Sequence, residues 1–337
     1  MPPAPPAIAA RARGFGTPPP RRRGRSAPFA PCAPLALVGL AVLGALTAGC
    51  SSTGDPTAAR STGTPTTAAG ASSYGPAAAG STSTGQTEAA SSAARAATLA
   101  FSAQLEADTA SFVAAVGRLG TDVAAGDTAA ARTDELAAQA AFDGFRVLES
   151  ANAVNGSSLD ELPTDVGPLQ SFGGLHAVER DLWASGPLAA DVASLASQAP
   201  VAQFLLGRKH LGPEAVGVVA VDQLTWVVDT ALPVGQEPYS HLGLVDVAAT
   251  EQAAHRSFAA VEPLARLVDP TATATVAGRF AALDAEVAAL GDPATTPDSS
   301  VPPAARLALS RHLDATASTL AGLVARLAPF GTRGAPS

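Results

Sequence analysis

From about residue 95 to about 331, large apolar side chains return every three or four positions, and no stretch alternates as a half-buried strand would. Phe101, Leu105, Phe112, Val116 and Leu119 form one such stripe and predict an amphipathic helix. Asp127 is placed to cap a second helix running through Leu136, Phe142 and Phe145 to Leu148, stopped by Asn155-Gly156. A polar loop with Pro163 and Pro168 then leads to a short helix around His176. Pro187–Leu206 reads as helix with an interruption at Pro200, and Pro213 suits the first residue of a helix reaching Val228. The pattern ends with helices over about 245–268, 273–290 and 303–327, separated by Asp269-Pro270 and Asp292-Pro293. No fixed short repeat is visible, which argues against a solenoid. These are about eight helices in two groups of four around residue 205, and short connections predict an all-α chain of paired antiparallel four-helix bundles.

The first 49 residues break this pattern. Six arginines (Arg11, Arg13, Arg21, Arg22, Arg23, Arg25) precede an apolar run from Leu35 to Leu46, with no acid before Cys50. That run is shorter than the roughly 20 residues a bilayer-spanning helix needs, and basic start plus short apolar core fits a signal peptide. The ending Leu46-Thr-Ala-Gly-Cys50 is similar to a bacterial lipobox, with Thr47 where Leu is usual, so residues 1–49 read as a lipoprotein signal and Cys50 as the lipidated residue. Residues 50–92 are Ser, Thr, Gly, Ala and Pro with few large apolar side chains, the composition of a flexible tether. Residues 93–332 remain as the folded domain.

Composition narrows the chemistry. The only cysteines are Cys32 and Cys50, so a processed chain has neither a disulfide nor a thiolate metal site. Without the six arginines before Cys50, the 21 basic and 29 acidic residues become a net charge of −14. Such a surface disfavours nucleic acid and anionic lipid and suits cations.

Two segments carry metal-ligand chemistry. In Phe172-Gly-Gly-Leu-His176-Ala-Val-Glu179-Arg-Asp-Leu-Trp183, His176 and Glu179 sit three apart on a predicted helix and therefore share a face. Downstream, Gly235-Gln-Glu237-Pro-Tyr239-Ser240-His241 offers a carboxylate, a phenol and an imidazole in a turn. A mixed nitrogen and oxygen set suits iron, manganese or zinc, and copper less specifically. Each segment also has a plainer reading, as a surface hydrogen-bonded pair and as a helix cap. Trp183 and Trp226 read as core anchors, His210, His255 and His312 as surface or satisfied residues, and Asp284 and Glu286 as a solvated helix face.

Together the two segments resemble motifs of the imelysin-like family, specifically the EfeO/EfeM-type lipoproteins of bacterial iron uptake. Gly-Leu-His176-Ala-Val-Glu179-Arg-Asp-Leu-Trp183 is similar to Gly-Phe-His-x-Ile-Glu-x-x-Leu-Trp, and Gly235-Gln-Glu237-Pro-Tyr239-Ser240-His241 to Gly-Glu-Glu-x-Tyr-Ser-His. The resemblance implies two related four-helix bundles and a metal site built around His176 and Glu179. It implies iron as cargo, with Glu237 and then Asp143, Tyr239 or His241 completing the ligands. It further implies a membrane permease as partner, a haem peroxidase beside it, and an extracytoplasmic, membrane-anchored location without an added cupredoxin domain. The chain departs from the family at Phe142-Asp143-Gly-Phe145-Arg146, where Asp143 alone keeps an acid and Arg146 replaces one, and at Gln236, which replaces a Glu. Asp160 or Asp165 would be substitutes for Asp143. The alternatives are a zinc metallopeptidase, for which Glu237 or Asp181 would have to act as general base, and a binding lipoprotein whose metal site has degenerated.

Overall fold

The structure is a computed structural model that describes residues 84–152, 159–163 and 172–330. The proposed signal, Cys50, most of the tether, the Asn155-Gly156 stop, Asp165 and Pro168 lie outside the described residues. Among those residues the chain is helical, and the only extended pairing is an isolated antiparallel bridge between Asp160 and Gly174.

Helix α1 (Thr84–Ala125) is 42 residues long, about 63 Å at 1.5 Å per residue. It starts inside the stretch assigned to the tether. Alanine gives that stretch helix propensity without large side chains, and Ala90 and Ala97 already face the interior. Phe101, Leu105, Phe112, Val116 and Leu119 are all buried, as their spacing predicts. Asp127 caps α2 (Thr128–Asp143) by accepting the Ala130 N–H at 3.0 Å. The expected continuation to Leu148 does not occur. The helix breaks at Gly144-Phe145 and restarts as α3 (Arg146–Asn152), with Gly144 against the Asp108 carboxylate, where a Cβ would come within 2.8 Å of Oδ2. Phe112, Phe142 and Phe145 lock this break to α1, with ring centroids 5.2–5.9 Å apart.

Helix α4 (Gly174–Arg180) runs into a π-helical turn, Asp181–Ser185, and then α5 (Leu188–Leu206). Pro200 does not interrupt α5. It lies on the solvent side, where water can satisfy the carbonyl that loses its donor, while Leu195, Ala199 and Leu206 hold the other side in the core. Pro213 opens α6 (Pro213–Trp226), which widens into a second π-helical turn, Val227–Ala231, before the single turn α7 (Leu232–Val234). Three longer helices follow: α8 (Leu244–Val268), α9 (Pro270–Ala289) and α10 (Pro303–Val324). Asp269 caps α9 through the Ala272 N–H at 2.8 Å.

Helix α1 packs along α2, α5 and α8; α8 also meets α2, α6 and α9, and α10 covers α6 and α9. Helix α8 thus packs against helices from both the first and the second half of the described chain. Its first turn, the turn before it, α2 and α4 come together around one buried polar cluster. No described helix is long and apolar enough to cross a membrane.

Candidate metal centre

The cluster is built on a close backbone approach. Gly174 has φ +77°, and a Cβ there would collide with the Leu159 carbonyl. Glycine pays no such cost, so Leu175 N–H reaches the Leu159 oxygen at 2.7 Å and Asp160 lies beside the start of α4. One turn on, His176 and Glu179 face the same interior, each 0% exposed. His176 Nδ1 is 3.4 Å from Glu179 Oε2, and Nε2 is 3.2 Å from Asp160 Oδ1 without hydrogen-bond geometry.

The turn between α7 and α8 supplies the third group. Glu237 is 1% exposed, and its carboxyl group lies against that of Glu179, the one side chain placed to share a hydrogen bond with it. His176, Glu179 and Glu237 each bring one ligand atom to a site where all three lie within 4.8 Å of one another. Bonds of about 2.0–2.2 Å to a common ion require these atoms to close by about an ångström or less. The same turn orients Glu179, whose Oε1 accepts the Tyr239 N–H at 3.0 Å and the Ser240 N–H at 2.6 Å. Its Oε2 is left facing His176.

Tyr239 and His241 meet the site through the backbone of this turn. Tyr239 contributes its amide, while His241 is exposed at φ +60° and holds the turn through its backbone. Its N–H donates to Glu237 O at 3.0 Å and its carbonyl accepts from Asp298 N at 2.9 Å. Asp143 also stands apart from the triad. Its Oδ1 accepts from Arg146 Nε at 2.8 Å, and Arg146 forms ion pairs with Asp160 and with Asp246, the latter at 3.5 Å. Arg146 lies over the rings of Phe142 and Trp226, 4.8 and 4.2 Å from their centroids. Arg146 is thus a buried counter-ion.

Glu135, on α2, is the residue the sequence reading missed. It is 0% exposed, and both carboxylate oxygens lack hydrogen-bond partners. It occupies a core position next to Leu136, which is only half-buried. The available signal was its spacing: Glu135, Ala138, Gln139 and Phe142 share the buried face of α2. Gln139 joins the network by donating to Asp246 at 3.0 Å.

Six carboxyl groups (Glu135, Asp143, Asp160, Glu179, Glu237, Asp246) are thus buried around one guanidinium, Arg146, and one imidazole, His176. Burial, then neighbouring acids, pushes Glu135, Glu237 and Asp246 well above the usual carboxylate range. Burial raises Asp143 to about 6 although Arg146 opposes it. Burial would raise Asp160 too, but Arg146 and His176 hold it below its ordinary value. In the same way His176 and the Ser240 amide overcome the burial of Glu179 and keep it low. Burial disfavours the His176 imidazolium, yet Asp160 and Glu179 raise its affinity for a proton. Isolated buried charges are costly, so this cluster must hold protons or take up a cation. The imidazole and carboxylate donors match a first-row metal ion. No protein-family model matches this chain, and no curated protein does.

Proposed function

We propose that this protein is an extracytoplasmic iron-binding lipoprotein that captures the ion at His176, Glu179 and Glu237 and passes it to a membrane permease. The carrying observation is the excess of buried carboxyl groups around a histidine, with the Glu237 carboxyl set against that of Glu179. The second support is the resemblance of both motif segments to the imelysin-like EfeO/EfeM-type proteins. That reading extends to two related four-helix bundles, to a signal over residues 1–49 with lipid on Cys50, to location on the outer face of the cytoplasmic membrane, and to a haem peroxidase partner. Iron is the preferred cargo because of that resemblance; the donor set itself, one imidazole and two carboxylates, equally suits zinc or manganese, and copper less specifically.

The site draws its ligands from α4 and from the turn before α8, so a small shift of that turn would remove Glu237 and release the two amides that orient Glu179. Release to a permease needs such a movable ligand. The peptidase alternative is less well supported: all three groups are 1% exposed or less, whereas a peptide bond must reach the metal and a general base.

Calorimetric titration of the purified protein with ferrous, ferric, zinc and copper ions tests the proposal. The expectation is a tight iron site weakened by more than about 100-fold in His176→Ala or Glu179→Ala, since losing even an outer partner of a ligand costs about 10–100-fold. Unchanged affinity in both variants, with helicity intact, would overturn it.

A further inference from the structure

Farther along α8, a second group of donors faces away from the buried cluster. Glu251 and His255 are four residues apart on α8, hence on one face, and Asp284 faces them from α9. One donor atom of each lies within 4.8 Å of the other two. His255 Nδ1 is 3.2 Å from Asp284 Oδ2, and its ring stacks on Phe280 at 4.8 Å between centroids, which fixes the imidazole plane. The three residues line a cavity of about 790 Å³ between α8 and the end of α9.

This is not only a cluster of surface charges. Glu251 lines the cavity yet is 1% exposed; its Oε1 has no hydrogen-bond partner, and its carboxyl is tied to that of Asp284. Asp284 and His255 have side chains 44% and 36% exposed, so they can close on an ion while water fills its remaining positions. Along α8 the group is separate from the first: from Asp246 to His255 is about 14 Å at 1.5 Å per residue. The nearby Arg256 is held by Asp108 at 3.2 Å.

We propose that Glu251, His255 and Asp284 form a second, solvent-open site for a divalent first-row metal ion, independent of the buried centre. One imidazole and two carboxylates with open coordination positions are the donor set of a zinc- or manganese-type site. The site would link α8 to α9 and give the protein a second ion outside the deep centre.

The test is a zinc titration of the whole chain in the His176→Ala background, which removes a ligand of the buried centre. The expected result is one saturable zinc ion per chain, with affinity reduced at least tenfold on adding His255→Ala. Asp284→Asn, on an exposed side chain that the fold does not depend on, is expected to weaken binding likewise with circular dichroism unchanged. Absence of zinc binding in the His176→Ala protein, or binding indifferent to both added substitutions, would overturn the proposal. Because the buried centre is disabled throughout, neither result depends on whether that centre carries iron.

Discussion

The buried centre around His176 and the open group around His255 contain the same kinds of donors in opposite surroundings. Around His176 water is excluded, so charge must be neutralised by protons, by Arg146 or by a bound ion. Around His255, two of the three side chains are partly in water, which screens their charges and makes an ion optional. Burial, more than residue type, therefore decides how strongly a histidine–carboxylate group demands a cation.

The comparison is broken most severely at Arg146. Arg146→Met leaves Asp143, Asp160 and Asp246 without their shared guanidinium, and removing one partner of a buried pair costs about 3–5 kcal/mol. Chemical denaturation of the metal-free protein should show that loss. A change below about 1 kcal/mol would mean that the acids are protonated and need no counter-ion.

Next in size is the response to pH. Asp143 titrates near 6 in the folded protein against 3.8 as its ordinary value, and burial pushes Glu135, Glu237 and Asp246 well above their ordinary values too. Between those limits the folded state holds more protons than the unfolded one, so stability rises as pH falls. The slope is at most about 1.4 kcal/mol per pH unit for each group. The metal-free protein should thus be more stable at pH 5 than at pH 7, and saturating metal should flatten the difference. A thermal-melt series at fixed ionic strength reads both, and a metal-free protein more stable at pH 7 would contradict the account.

Gly174→Ala acts through geometry. A strained backbone position costs about 1–3 kcal/mol, but relief of the clash with Leu159 would move His176, so metal affinity should fall by a larger factor than stability. Equal effects on the two would show that Gly174 is structural only. Smallest is the open site: Asp284→Asn should change metal-free stability by less than about 0.5 kcal/mol while weakening zinc there.

Much of the centre was legible in the sequence because spacing encodes it. His176 and Glu179 lie three apart after a glycine pair, and Glu237 sits in a Gly- and Pro-bearing turn. The side chains of Tyr239 and His241 could not be assigned that way, since a turn's amides leave no mark on residue type. Glu135 was hidden because a helical stripe is read from apolar residues, and an acid inside it is taken for a neighbour of the core. Arg146 was not legible as a counter-ion, because its partners Asp160 and Asp246 are 14 and 100 positions away. Helix caps at Asp127 and Asp269 follow from local chemistry, whereas the close approach of Gly144 to Asp108 involves another helix.

The central claim is tested most directly by crystals of the iron-loaded protein, measured at the iron absorption edge. The account predicts an anomalous peak bounded by His176, Glu179 and Glu237, within about 2.0–2.2 Å of their donor atoms. Iron-loaded crystals with no peak there, or with iron only beside His255, would contradict it.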